Sequence, residues 1–514
     1  MSKKRLTISV VLIVKDEQDV LADCLDSVRW ADEIVVYDTG STDETVEIAR
    51  RYTDKVVEGY WDEDFAAARN RALEHATSDW VLSMDADEVF ESQGSTLRKR
   101  LAQGQCSQYG IRVVNVGKSQ VDSTEEFTAP RVFTRADHCW KGRLHEQPAR
   151  ADGKHEPAGA VLSGIRLRHT GYADRERLST QKAERNISLA RTQVQAAQTA
   201  DDRPVLAGAL VNLARSLTMD PGDDMWVESN AVGEQAWELA DQLPLGSVKA
   251  LVECQVAVAM RIGEPDQALV WVERWRSRQP DNPEVDILAT RVASRTNDVD
   301  GGLEALARVP AVAPDGLGGT VRRDSIIDIE LTLLTKAGRA DEAVAAVRRA
   351  LVAGQTCPTP MVVLALLGDE AFTSLLVDLS DNWWRRWAML AVKHADAVAM
   401  RVLELMDEFR PGDANVLVAG ARVAPLNGLH AASQWDAKLH RHQLGHLSTL
   451  ITYAADERGV PDDRAVAAAL AFSAYHDERA LPHLTEALSL VPQQRERAVA
   501  EAIEVVAPGL VSLD

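Results

Sequence analysis

Nowhere in the 514 residues do about 18 apolar residues run together, so the sequence offers no candidate for a membrane-spanning helix. A secretory leader is equally missing. Lys3, Lys4 and Arg5 precede an apolar run at residues 6–14, but Thr7 and Ser9 interrupt it, Lys15, Asp16 and Glu17 stop it, and no small-residue cleavage site follows; it reads as a strand. Cations are in deficit. Lys and Arg total 57 against 78 Asp and Glu, and the formal net charge of -21 argues against nucleic acid or an anionic membrane surface as the main partner, because both need a basic stripe. Cysteine is scarce and unpatterned. Cys24, Cys106, Cys139, Cys254 and Cys357 are odd in number and no two stand in a CxxC spacing, so free thiols in a reducing compartment are expected, by default the cytoplasm. The rest, 46% hydrophobic and 26% charged, is the composition of a soluble globular chain of about three domains.

Short apolar runs alternate with helical patterns over roughly the first third. Residues 10–14, 34–37, 56–57 and 80–84 are rich in β-branched side chains and bounded by polar turns, as buried strands are. One helix between them carries Val20, Leu21, Cys24, Leu25 and Val28 on one face. Another is expected after Gly40, with Ser41 and Glu44 spaced as a capping box. Strands alternating with helices imply an α/β domain with a mostly parallel sheet covered on both faces, and in such sheets ligands collect beyond the carboxyl ends of the strands. After about Tyr172 the strand signal disappears and an Ala- and Leu-rich helical pattern takes over. The turn Gly263-Glu264-Pro265-Asp266 recurs as Asn297-Asp298-Val299-Asp300 and again as Gly338-Arg339-Ala340-Asp341. A period near 34 residues with a small Ala in the following helix is similar to the tetratricopeptide repeat. The expected division is residues 1–178 for the α/β domain, 179–354 for a tetratricopeptide-like solenoid and 355–514 for a further all-α domain. Faces of such helical arrays also allow a homodimer.

Asp85-Ala86-Asp87, directly after the fourth strand, places two carboxylates where a hard cation can be held against a diphosphate. Val14-Lys15-Asp16-Glu17, the acidic turn Asp38-Thr39-Gly40-Ser41-Thr42-Asp43, Phe65-Ala66-Ala67-Ala68-Arg69-Asn70, and Asp85-Ala86-Asp87-Glu88 follow one another in the order and register of family 2 glycosyltransferases, which residues 6 to about 172 resemble. The branch most resembled includes peptide S-glycosyltransferases and lipopolysaccharide-core glucosyltransferases. The resemblance implies a GT-A fold, an inverting reaction, a UDP-sugar donor and Mn²⁺ or Mg²⁺. It implies that Lys15 and Glu17 line the base-and-ribose pocket, that Asp38 hydrogen-bonds the nucleobase, and that Arg69 faces the diphosphate or sugar. Asp85 would contact ribose or sugar hydroxyls and join Asp87, the principal metal ligand.

A second cluster, Trp140-Lys141-Gly142-Arg143-Leu144-His145-Glu146-Gln147, also resembles that branch. Glu146 is a candidate general base, and His145 a candidate for metal or diphosphate; a buried polar pair bracing the sheet edge is the structural alternative. Glu125-Glu126 is the nearest substitute for the Glu-Asp base pair of other family members. His169 either closes the metal site or caps the core. Asp43 reads equally as a helix-start carboxylate. His440, His442 and His446 lack acidic or cysteine partners and read poorly as a metal site. Trp383, Trp384 and Trp387 read as core, with Arg side chains snorkelling past them. The peptide or protein acceptor expected here rests on the long helical array. A saccharide or lipid-linked acceptor, a nucleotidyltransferase, and a repeat scaffold with a relic transferase domain are the rivals.

Overall fold

The computed structural model describes residues 5–104, 106–115, 126–153, 161–169, 175–314, 320–354 and 356–511. Its central strand is β1 (Ile8–Val14), where Ile8, Val10, Leu12 and Val14 point to one face and Val11 to the other, all buried. Alternation with both faces apolar is what a strand covered on both sides requires. β1 pairs in parallel with β2 (Glu33–Asp38) and β4 (Trp80–Met84), and β2 pairs with β3 (Val56–Glu58). The register sets Val14 beside Asp38 and Leu12 beside Met84, so the carboxyl ends of β1, β2 and β4 open side by side. Helices α1 (Leu21–Ser27), α2 (Thr45–Arg50) and α4 (Gly94–Gln103) cover one face, and α3 (Phe65–Glu74) packs on the other against Val11, Val35, Tyr37 and Val81. Each fully buried Val, Ile or Leu contributes roughly 1.5–3 kcal/mol.

The sheet has 8 strands in the order β3-β2-β1-β4-β7-β6-β10-β5, where β5 is Glu88–Phe90, β6 Gln108–Asn115, β7 Glu126–Thr134 and β10 Val161–His169. Only β7 and β5 run against the rest, so the mostly parallel sheet expected from the sequence is present with two reversed strands. Those two matter for the site. β7 opposes Leu82 with Val132, which brings Arg131 level with the end of β4. β5 opposes His169 with Glu88, which brings His169 to Asp87. β8 (His138–Lys141) and β9 (Gln147–Arg150) form a separate hairpin whose tip is residues 142–146.

Two sequence expectations fail locally. Ser41 and Glu44 make no capping box: α2 starts at Thr45, and the Ser41 hydroxyl is taken by Asp38. The region beyond residue 172 is not free of strand, because β11 (Val312–Pro314) and β12 (Thr320–Arg322) pair antiparallel between the second and third of the recurring turns. The helical reading otherwise holds. α5 (Arg175–Thr199), α6 (Arg203–Leu217), α7 (Asp223–Glu238), α8 (Leu245–Arg261), α9 (Pro265–Arg278) and α10 (Pro283–Thr296) follow in succession. The three recurring turn positions, Gly263, Asn297 and Gly338, all sit in left-handed backbone, at φ 80°, 60° and 71°, which explains why Gly or Asn recurs there. The chain divides into two compact units, Met1–Asp298 with Glu304–Arg322, and Val299–Leu303 with Arg323–Asp514. In the second unit Trp383, Trp384 and Trp387 are buried, Trp387 stacking on Phe372 at 5.3 Å.

Candidate active site

A cavity of about 470 Å³ opens at the carboxyl ends of β1 and β4. It is lined by Lys15 and Glu17 from the loop after β1, Asp85 and Asp87 from the loop after β4, Arg69 from α3, His145 and Glu146 from the β8–β9 tip, and His169 from the end of β10. Eight of the nine residues to which the resemblance gives a donor, metal or base role thus meet in one place. The ninth, Asp38, is buried beside it and turned to its own loop, where it accepts from the backbone N–H groups of Gly40 and Ser41; its neighbour Thr39 lines the cavity instead.

Arg69 organises the site. Its buried guanidinium donates from Nε to Glu146 Oε1 at 2.6 Å, from Nη1 to Ser83 Oγ at 3.0 Å and from Nη2 to Asp85 Oδ1 at 2.6 Å, with the Trp140 ring 4.9 Å away. Arg131 donates to Asp85 Oδ2 at 2.6 Å and to Glu88 Oε1 at 2.8 Å. Burial works against ionisation of Asp85, but the two guanidiniums outweigh it and hold the carboxyl well below the usual carboxylate range. Glu88 is 1% exposed and accepts from the Asp85 N–H; burial pushes it up to about 7, with Arg131 opposing and the Asp85 and Asp87 charges reinforcing. The sequence did not single out Arg131, Glu88 or Ser83 for a role; the Arg131 contacts to Asp85 and Glu88 each span more than 40 residues.

The β8–β9 tip is held from three sides. Gly142 and His145 both adopt left-handed backbone, φ 98° and 55°. The Phe65 N–H donates to the Arg143 carbonyl, Asn70 exchanges hydrogen bonds with the Trp140 backbone, and the Leu144 side chain is buried against α5 and α6. The Phe65–Asn70 motif therefore fixes the hairpin as well as supplying Arg69. His145 is pushed down to about 4 by burial and then by the Arg215 cation on α6, and its Nε2 is buried with no hydrogen-bond partner among the described residues. Glu125 and the Glu126 side chain lie outside the described residues. Helix α5 adds Arg185 and Asn186 to the cavity wall, residues the sequence reading passed over. A second cavity of about 590 Å³ lies between α5 and α6 and is walled by Gly142 and Arg143 of the same tip.

Asp87 Oδ2 and His169 Nε2 stand 2.9 Å apart. Burial lowers the basicity of His169, but the Asp87 carboxylate outweighs it and the imidazole is raised above its ordinary value. Among the described residues no group of three or more His, Cys, Asp or Glu side chains is spaced to hold a metal ion. Both Asp85 oxygens are engaged by arginines. Of the residues expected to hold a cation, Asp87 and His169 are the two whose donor atoms are not engaged by arginine in the contacts described, and their types suit a divalent ion. His440 instead stacks on Tyr475 at 3.7 Å, with its Nδ1 on Asp436.

Glycosyl transferase family 2 matches residues 9–150. A TPR repeat-containing protein of Synechococcus elongatus is 45% identical over 98 residues, 19% of this chain and 24% of that protein. The SPbeta prophage-derived glycosyltransferase SunS of Bacillus subtilis is 28% identical over 193 residues, 36% of this chain and 44% of that one. The lipopolysaccharide core biosynthesis glycosyltransferase LpsC of Rhizobium meliloti is 32% identical over 92 residues, covering 17% of this chain and 34% of LpsC. The chain thus spans less than half the length of these relatives. Among solved structures, S. aureus TarS 1-349 is similar over 54% of this chain and 92% of that one, at 16% identity and a TM-score of 0.28.

Proposed function

We propose, on the premise that residues 9–150 are a glycosyl transferase family 2 domain, that this chain moves a sugar from a UDP-sugar to a side chain of a polypeptide, inverting the anomeric carbon. The observation that carries the reading is the Arg69 bridge: one guanidinium joins Asp85 at the end of β4 to Glu146 on the hairpin tip, each at 2.6 Å. A donor-side carboxylate and an acceptor-side carboxylate are thereby fixed across one cavity, which is the arrangement an in-line displacement needs. Lys15 and Glu17 flank the nucleoside. Asp38 shapes that end through its turn, placing Thr39. Asp87 and His169 are the residues to hold Mn²⁺ or Mg²⁺, and a bound cation neutralises charge on the departing diphosphate. Glu146 accepts the proton of the acceptor hydroxyl or thiol while that heteroatom bonds to the anomeric carbon; the bond from that carbon to the β-phosphate oxygen breaks, and its electron pair leaves with the diphosphate.

Two features support a polypeptide acceptor. The helices after residue 175 far exceed what a saccharide cleft requires. The groove between α5 and α6, with Ala197, Val205 and Ala209 on its walls, shares Gly142 and Arg143 with the tip that carries Glu146, so an extended chain lying there reaches the base. The test is intact-mass spectrometry of polypeptides incubated with the chain, Mn²⁺ and UDP-hexose or UDP-N-acetylhexosamine. A hexose or N-acetylhexosamine increment is expected. Transfer to free saccharides alone overturns the acceptor reading, and failure to bind or hydrolyse any nucleotide sugar overturns the whole.

A further inference from the structure

Lys15, Arg69 and Arg185 line the cavity and Arg131 stands against Asp85, and the arginines are unequally committed. Arg69 is bound to Asp85 and Glu146, and Arg131 to Asp85 and Glu88. Arg185, on α5, meets no carboxylate among the described residues; its guanidinium faces Asn186 Oδ1 at 3.4 Å and 3.5 Å and lies 5.2 Å from the Phe65 ring centre. The Phe65 backbone is itself bonded to the hairpin tip through Arg143, so the ring that supports Arg185 is fixed to the loop that carries Glu146. A nucleoside diphosphate entering this cavity brings negative charge and gains more as the bond to the sugar breaks. Arg69 cannot answer that charge without releasing two carboxylates, whereas Arg185 can. A planar guanidinium held over an aromatic ring also presents its fork of N–H donors in the geometry phosphate oxygens accept.

We infer that Arg185 pairs with the diphosphate of the donor, so that the first long helix beyond the sheet is part of the donor site. This rests on the reading above that a nucleoside diphosphate occupies the cavity. Its consequence is that the donor site extends past residue 178, where the sequence alone sets the domain boundary, and the helical segment binds donor as well as acceptor. Arg185 is exposed at the cavity wall, where an entering ligand can reach it.

The test is calorimetric titration of the full chain with UDP and with uridine, at constant Mn²⁺, for the wild type, Arg185→Gln and Arg185→Lys. Removing a charge-assisted contact to phosphate is expected to weaken UDP about tenfold or more, leave uridine unchanged, and be partly restored by Lys. The melting temperature of each ligand-free variant, expected to match wild type, separates charge loss from misfolding. Wild-type binding of UDP with equal affinity in Arg185→Gln overturns the Arg185 assignment alone, as does a loss shared equally by UDP and uridine. A wild type that binds no UDP overturns the reading of the cavity and this inference with it.

Discussion

Replacing Arg69 by Gln tests the centre of the site more severely than removing any single carboxylate. Arg69 is 6% exposed and makes three side-chain hydrogen bonds, two of them to carboxylates at 2.6 Å. Its loss leaves Glu146, whose side chain is 13% exposed, without its cation, while Asp85 keeps Arg131. Breaking a buried pair by removing one partner costs about 3–5 kcal/mol. With Asp85 still neutralised, the lower figure applies, about 3 kcal/mol, and the uncompensated charge is mostly that of Glu146. The double variant Arg69→Gln, Glu146→Gln removes that charge and is expected to recover about 1–2 kcal/mol of the loss, a coupling of the size neighbours in one network show. Differential scanning calorimetry reads this as a downshift of roughly 5–10 °C for the single variant. The wild-type transition should be assigned first by adding UDP and Mn²⁺, which raise only the melting of the unit that binds them. If Arg69→Gln melts within a degree of wild type, or if the second substitution adds its own loss instead of restoring stability, Glu146 and Arg69 are not coupled and the bridge does not organise the site.

Asp87→Asn is expected to abolish transfer while the ligand-free protein melts as wild type does; near-normal turnover of this variant in EDTA removes the metal from the reaction. Glu146→Gln retains an oxygen for Arg69 but cannot take a proton, so turnover is expected to fall at least about 10²-fold with UDP-sugar affinity little changed, and an equal loss in affinity would place Glu146 on the donor side. His145 carries a pH signature. Its folded value near 4 lies below its unfolded value, so the unfolded chain binds the proton first as pH falls, and the wild type loses stability from about 6.5 down to about 4. His145→Asn, which suits left-handed backbone, should remove that loss, and parallel melting curves for the two proteins over this range would contradict it.

The parts of the site that could be read from sequence are those whose position follows from a strand end. Lys15, Asp85 and Asp87 each come directly after an apolar run buried on both faces, and parallel pairing of β1 with β2 and β4 sets those ends level without further information. His169 could be placed only through its position at the end of the domain, because its meeting with Asp87 depends on β5 pairing antiparallel with β10, some 80 residues downstream in the chain. Arg131 was invisible for the same reason. The β8–β9 hairpin left no strand signal: His138–Lys141 and Gln147–Arg150 are short, polar and include a Pro, yet the tip between them carries Glu146.

Asp38 shows a different limit. The resemblance gives it a nucleobase contact, and in the structure the short polar turn that follows supplies the carboxylate with the backbone N–H groups of Gly40 and Ser41. The same competition undid the capping box, since the Ser41 hydroxyl that would have capped α2 is held by Asp38. What decides between local and ligand-facing roles is whether a polar group's hydrogen-bonding capacity is already met at home. Asp38 and Asp85 meet part of that capacity within the protein, and the inference above makes Arg185, which lines the cavity with Lys15, a cation that meets the donor. On that inference the donor site draws on two segments of chain that the sequence pattern assigns to different domains. Substitutions in α5 should affect nucleotide binding before they affect the helical array, and a chain ending at residue 178 should lose both the Arg185 contact and the α5–α6 surface on which Leu144 packs.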